Sequence, residues 1–166
     1  LNVNVVCYDY PSYGLSKGEL NEHTCYRSLH DVIWFYQNQT NRILLVGQSL
    51  GTGIVVDYIS KNHWVCPVVL ISPYKSIPKV ITQVELLEAI ISKNRFASYD
   101  KITQCTCPIK IFHGKQDQVI DISHGIELYD AIENKQLEAK FFTNCGHNDI
   151  LEKISLKEWT KLVELL

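Results

Sequence analysis

One stretch of the sequence decides the fold: Ile43-Leu44-Leu45-Val46-Gly47-Gln48-Ser49-Leu50-Gly51. Its apolar start, Ile43–Val46, is typical of a strand that is covered on both faces of a sheet. Leu50 then opens a segment in which apolar residues recur at helical spacing. Between them lies the pattern G-x-S-x-G, which predicts a sharp turn from a strand into a helix.

A turn of this form needs small residues at both glycine positions, because the strand and the helix approach each other closely. It also forces the serine into a strained backbone conformation that raises its hydroxyl above the sheet. The alternative is a tight turn with an incidental serine, since the pattern also occurs by chance. Because a strand precedes and a helix follows, we favour Ser49 as a nucleophile. The backbone N–H of Leu50 would then face a developing oxyanion.

Outward from this turn, the chain alternates short apolar runs with segments of helical periodicity, the pattern of a parallel sheet. We predict an α/β fold, with a mostly parallel sheet of about five strands flanked by helices. The predicted strands are Val3–Tyr8, Ile43–Gly47, Val65–Ser72, Ile109–His113 and Ala139–Thr143.

The 166 residues suit one domain, 1–166. Residues 77–94 interrupt the alternation, because no strand directly follows the helical pattern at Val84–Ile91. We interpret 77–94 as a short lid, and an ordinary crossover helix is the alternative.

A serine hydroxyl needs a base to accept its proton, and the sequence supplies an acid and a histidine in the required order. Asp117 follows the fourth predicted strand, and His147 follows the last one. Both side chains can reach Ser49, because the carboxyl ends of parallel strands lie at one edge of a sheet. Gly146 permits a sharp turn that directs His147 inward. We therefore predict a triad of Ser49, Asp117 and His147.

Other acids and bases lie near these positions. Asp121 is the rival acid, although its place before a predicted helix is typical of a cap. Asp149 is too close to His147 in sequence to be the first choice. His113 and His124 are alternative bases, and His113, at a strand end, is better suited to packing or to bonding the backbone.

Composition and charge exclude several classes of function. The net charge is −2, from 16 basic and 18 acidic residues, so the chain offers no basic field for nucleic acid. Apolar runs such as Val68–Ile71 are far shorter than the ~20 residues of a membrane span. The amino-terminal residues lack the basic start of a signal peptide.

The 6 cysteines are irregularly spaced. Cys105 and Cys107 form C-x-C, which is not the C-x₂-C spacing of zinc sites, and no second pair follows. We expect no metal, no cofactor, and reduced thiols in a cytoplasmic protein.

Several segments together resemble one family, and the similarity spans nearly the whole chain. They are Tyr8-Asp9-Tyr10-Pro11-Ser12-Tyr13-Gly14-Leu15-Ser16, the elbow with Thr52, Ser72-Pro73, 113–121, Ser123-His124-Gly125 and Gly146-His147-Asn148-Asp149. They look like α/β-hydrolase domain-containing group 17, whose members are serine thioesterases that remove palmitate from cytoplasmic protein cysteines. Within the superfamily, the likeness to this group rests mainly on Gln48, Thr52 and the segments 117–125 and 146–149.

The resemblance implies Ser49 as nucleophile, Asp117 as acid and His147 as base. It implies a partner that is an acylated protein or a small acyl ester, cleaved at a thioester or ester bond. Two alternatives stay open: a carboxylesterase or acylglycerol lipase with the same triad, and a catalytically inactive binding domain that keeps the elbow.

The chain departs from the family pattern at its amino end. The family's fold has earlier strands, and one of them ends in a His-Gly turn that donates an oxyanion-hole amide. In the family's sheet this strand lies between those equivalent to Val3–Tyr8 and Ile43–Gly47. We therefore expect either a fragment of a longer protein or a direct pairing of these two segments with compromised activity. The group's lipidated amino-terminal segment is also missing, so we expect membrane association only through such a segment.

Overall fold

The computed structural model describes residues 1–77 and 95–166, and within them a sheet of 4 parallel strands forms. The strands are β1 (Leu45–Gln48), β2 (Val68–Ile71), β3 (Ile109–Gly114) and β4 (Lys140–Phe142), in the order β1-β2-β3-β4. Across the sheet Gln48 pairs with Ile71, Ile71 with Phe112, and Phe112 with Lys140. The segments that follow these strands therefore meet at one edge of the sheet.

Helices connect the strands and cover the sheet. They are α1 (Glu22–Gln37), α2 (Leu50–Lys61), α3 (Tyr99–Ile102), α4 (Ile122–Ala131), α5 (Ile150–Lys153) and α6 (Leu156–Glu164). The start of α1 is fixed by a capping box, in which Asn21 Oδ1 accepts from the Thr24 amide and Thr24 Oγ1 accepts from the Asn21 amide.

The core lies on both faces of the sheet, and β2 shows why. Its four residues are all buried, and alternate side chains point to opposite faces. Val68 and Leu70 join a cluster with residues of α1, α2 and α4, whereas Val69 and Ile71 join a second cluster with residues of α5 and α6. A strand buried on both faces has a continuously apolar sequence, as β2 does. Helices packed on both faces of a parallel sheet confirm the predicted α/β class.

The strand predicted at Val3–Tyr8 is wrong, and the sheet formed by the described residues has 4 strands where about five were predicted. This segment carries no strand pairing, and Val5 is 80% exposed. A strand is held by hydrogen bonds to a neighbour. Within the described residues β1 pairs only with β2, so the direct pairing of Val3–Tyr8 with Ile43–Gly47, one of the two alternatives, is not observed. The other four predicted strands are present with bounds that differ by at most three residues at either end.

The lid predicted at 77–94 falls almost entirely on residues 78–94, which lie outside the described residues. Over 1–77 and 95–166, no helix has the length and apolar character needed to cross a membrane. All six cysteines are free thiols, and Cys25, Cys105, Cys107 and Cys145 are buried.

Candidate active site

Ser49 stands at the turn between β1 and α2, in a backbone conformation that L-residues rarely adopt. Its φ is 49° and its ψ is −118°, and its amide donates to the Ile71 carbonyl at 2.9 Å. Such strain persists only where the surrounding structure fixes it, and here β2 supplies the fixing hydrogen bond. The turn therefore has the strained geometry that the G-x-S-x-G pattern predicts.

Gly47 is required by the close approach of α2. A Cβ added to it would lie 2.6 Å from the Gly51 carbonyl oxygen and 2.9 Å from Thr52 Cα, which are backbone atoms that cannot move aside cheaply. At the second glycine of the motif the space is limited by a side chain, because the Tyr10 hydroxyl would lie 3.1 Å from a Cβ on Gly51.

The three residues predicted as a triad are brought together in one hydrogen-bonded chain. Ser49 Oγ lies 3.1 Å from His147 Nε2, and His147 Nδ1 lies 2.7 Å from Asp117 Oδ2. In this arrangement Nδ1 of His147 donates to the carboxylate, and Nε2 is free to accept the proton of the hydroxyl. The geometry meets the requirement that a nucleophile and its base lie within hydrogen-bond reach.

Asp117 is held by its own turn. Its Oδ1 accepts from the amides of Val119 at 2.9 Å and Ile120 at 2.8 Å, which leaves Oδ2 for His147. Burial would raise the pKa of Asp117, but hydrogen bonds from His113, the Ile120 amide, His147 and the Val119 amide outweigh it. The pKa of Asp117 therefore lies well below its usual range, and the carboxylate is ionised at neutral pH.

The loop that carries His147 is joined to the loop that carries Asp117. The Lys115 amide donates to the Phe142 carbonyl at 2.8 Å, and the Gln116 amide donates to the Cys145 carbonyl at 2.9 Å. At the other side of His147, Asp149 Oδ1 accepts from the Gly146 amide at 2.8 Å. These bonds extend the β3–β4 pairing into the site and fix the acid and the base relative to each other.

The rival acids and bases have other positions in the structure. Asp121 is the N-cap of α4, where its carboxylate accepts from the Ser123 amide at 2.8 Å. His124 is buried on α4 and its Nδ1 accepts from the Lys75 amide at 3.1 Å. His113 is fully buried and bonds the Ile120 carbonyl, as its sequence context indicated.

Two features of the site were missed from the sequence. Leu50, the first residue of α2, has a carbonyl that accepts from the buried Tyr74 hydroxyl at 3.2 Å. His113 contacts the turn that holds Asp117. The pattern Ser72-Pro73-Tyr74 and the histidine four residues before the acid were the available signals.

No family model matches the chain. Protein L404 of Acanthamoeba polyphaga mimivirus, whose name places it among the alpha/beta hydrolases, is 42% identical over 169 residues, which cover 99% of this chain and 63% of that protein. Human alpha/beta hydrolase domain-containing protein 17C is 34% identical over 155 residues, or 90% of this chain and 46% of that protein.

Solved structures with low sequence identity share the fold. An esterase of Pyrococcus furiosus has a TM-score of 0.72 at 19% identity and covers 95% of this chain and 68% of its own. A monoacylglycerol lipase of Paleococcus ferrophilus has a TM-score of 0.71 at 14% identity and covers 95% of this chain and 82% of its own.

A parallel sheet between helices, with a strained serine at the end of β1, is the architecture of the α/β-hydrolase fold, and the two relatives described above are both named alpha/beta hydrolases. Among proteins of this fold the chain resembles the group 17 proteins. It spans 63% of the length of L404 and 46% of the length of human 17C.

Proposed function

We propose that the protein is a serine hydrolase that cleaves acyl thioester or ester bonds. The single observation that carries this proposal is the series of hydrogen bonds from Ser49 Oγ through His147 to Asp117, with separations of 3.1 and 2.7 Å. Ser49 lies on a strained turn at the carboxyl edge of the sheet. Each of the three residues has the hydrogen-bonding role that acyl transfer requires.

In the first step Ser49 Oγ attacks the acyl carbonyl carbon while His147 Nε2 takes the hydroxyl proton. A C–O bond forms, and the carbonyl oxygen becomes an oxyanion. When the tetrahedral intermediate collapses, the bond to the leaving thiol or alcohol breaks and His147 returns the proton to that group. Asp117, ionised and 2.7 Å from Nδ1, orients the ring and stabilises its positive charge.

In the second step water attacks the acyl-Ser49 carbonyl, and His147 takes a proton from the water. Collapse of this intermediate releases the carboxylic acid and restores Ser49. In both steps the Leu50 amide donates to the oxyanion, because it is the first N–H of α2 and has no carbonyl one turn earlier in the helix to bond. The positive end of the α2 dipole adds to this stabilisation.

The acyl thioester of a palmitoylated protein is the substrate class that we propose. The resemblance to the group 17 proteins supports it, whereas the triad alone suits a carboxylesterase or acylglycerol lipase equally well. The elbow and the triad act on the carbonyl carbon, so they do not distinguish a thiol from an alcohol as leaving group.

The test is hydrolysis of a panel of thioesters and oxygen esters with short and long acyl chains. We expect turnover that Ser49→Ala lowers by several orders of magnitude with the fold unchanged, since the substitution removes one oxygen at a turn. Preference for long-chain thioesters supports the depalmitoylase proposal, and preference for acylglycerols supports a lipase. No turnover on any substrate, by a folded chain, supports an inactive binding domain.

A further inference from the structure

His113 is a buried histidine that the proposed chemistry does not use. It lies in β3, just before Gly114, and its side chain is 0% exposed. Its Nε2 lies 2.9 Å from the Ile120 carbonyl oxygen and 3.5 Å from Asp117 Oδ2. The ring therefore faces both ends of the turn that holds the candidate acid.

The groups around the ring indicate which of its two nitrogens carries a proton. Both atoms that face Nε2 are acceptors, so Nε2 carries the N–H. Within the described residues Nδ1 has no hydrogen-bond partner, which suits a nitrogen without a proton. His113 thus acts as a donor whose Nε2–H is shared between the Ile120 carbonyl and, more weakly, the Asp117 carboxylate.

Ile120 is held through both of its backbone polar groups. Its carbonyl accepts from His113, and its amide donates to Asp117 Oδ1 at 2.8 Å. The Nδ1 edge of the ring lies against α4, because a Cβ on Gly125 would lie 2.4 Å from His113 Nδ1. The ring therefore lies between α4 and the Asp117–Ile120 turn.

We propose that His113 is a positioning residue that holds the Asp117 carboxylate in the orientation that contacts His147. The proposal rests on the proposed function, because this orientation affects a rate only if His147 is the base. His113 touches neither Ser49 nor the acyl group, so it acts entirely through Asp117.

The first test compares two substitutions of His113. His113→Leu removes the donor, and we expect kcat to fall by about tenfold to a hundredfold with KM unchanged, the usual effect of losing a hydrogen bond to a charged group. His113→Gln keeps an N–H near the position of Nε2 and should restore most of the rate. If the Leu variant does not fold, His113→Asn replaces it, because its amide is too short to reach both acceptors.

A matched control is His124→Leu, which removes another buried histidine that bonds the Lys75 amide instead. We expect it to lower the melting temperature while kcat stays at the wild-type value. An unchanged kcat in the folded His113→Leu variant, or no rescue by His113→Gln at equal stability, would overturn the proposal.

A double-mutant cycle separates positioning from a general loss of structure. In the Asp117→Asn background, His113→Leu should have no further effect on kcat, because the group through which it acts is already disabled. An equal loss of rate in both backgrounds would show that His113 acts by another route.

Crystal structures of the two His113 variants test the proposal without any turnover. We expect the Asp117 carboxylate to rotate away from His147 Nδ1 in the Leu variant and to keep its contact in the Gln variant. An unmoved carboxylate in the Leu variant contradicts positioning by His113 even if the chain is active. If the carboxylate rotates but the wild-type chain has no hydrolase activity, the result supports the positioning role of His113 and contradicts the proposed function.

Discussion

At the scale of single residues, Ser49 and Asp117 are each held in place by backbone groups. The Ile71 carbonyl accepts from the Ser49 amide, and two amides of the 117–120 turn donate to the Asp117 carboxylate. Preorganised partners of this kind cost no rearrangement when charge develops during a reaction. The site geometry is therefore a property of the sheet edge and its turns rather than of flexible side chains.

The choice between the two candidate acids gives the first prediction. Asp117→Asn should lower kcat by about 10⁴, because the amide would hold the imidazole in the wrong tautomer. Asp121→Asn, at the N-cap of α4, should leave kcat unchanged and affect only stability. Steady-state kinetics of the two variants decide the assignment, and a larger loss of kcat in Asp121→Asn would show that Asp121 is the acid.

The depressed pKa of Asp117 gives a prediction about stability and pH. The folded protein keeps this carboxylate ionised below the pKa of an unfolded aspartate, about 3.9, so ionisation favours folding above that pH. As the pH falls below about 4, this contribution to the free energy of unfolding is lost progressively. Urea titrations between neutral and acidic pH should show that wild type loses more stability than Asp117→Asn. Parallel pH profiles for the two proteins would contradict the hydrogen-bonded carboxylate.

At the scale of elements, β1 is an edge strand with an exposed residue in its middle. Within the described part of the chain it pairs only with β2, and Val46 in its middle is 47% exposed. An unpaired strand edge presents free backbone donors and acceptors, which favour pairing with another chain.

We therefore predict that the 166-residue chain self-associates in solution and that Val46→Lys reduces this association. A lysine on an edge strand opposes pairing, because its charge would be buried in the contact. Sedimentation velocity over a range of protein concentrations measures the effect, and Val69→Ala, in the central strand β2, serves as a control for a general change in stability. A wild-type chain that stays monomeric at every concentration would contradict the predicted self-association.

At the scale of the whole molecule, the sequence predicts those parts of the fold that depend on local patterns. The run at β2 is recognisable because a strand covered on both faces is continuously apolar. β1 begins with apolar residues as well, although Val46 in its middle is exposed rather than covered. Val3–Tyr8 is also rich in apolar residues but has no strand partner among the described residues, and pairing is not encoded in composition. A segment can therefore resemble a strand without forming one.

In the site, too, local sequence patterns predict some features and not others. The strained turn at Ser49 follows from the glycine spacing and from the strand and helix beside it. The separate roles of Asp117 and Asp121 depend on which backbone amides face each carboxylate, and sequence spacing alone left both open. The contact of His113 with Gly125 arises only when α4 packs against β3, so sequence spacing does not indicate it.

The central claim, that Ser49 is an activated nucleophile, is tested most directly by a fluorophosphonate that reacts with activated serines. We predict a single covalent adduct that peptide mapping assigns to Ser49, with no labelling of Ser49→Ala and much slower labelling of His147→Gln. Ser72, a buried serine that also has a positive φ of 48°, should stay unmodified and serves as an internal control. A folded chain that takes up no label, or takes it up at another serine, would contradict the account.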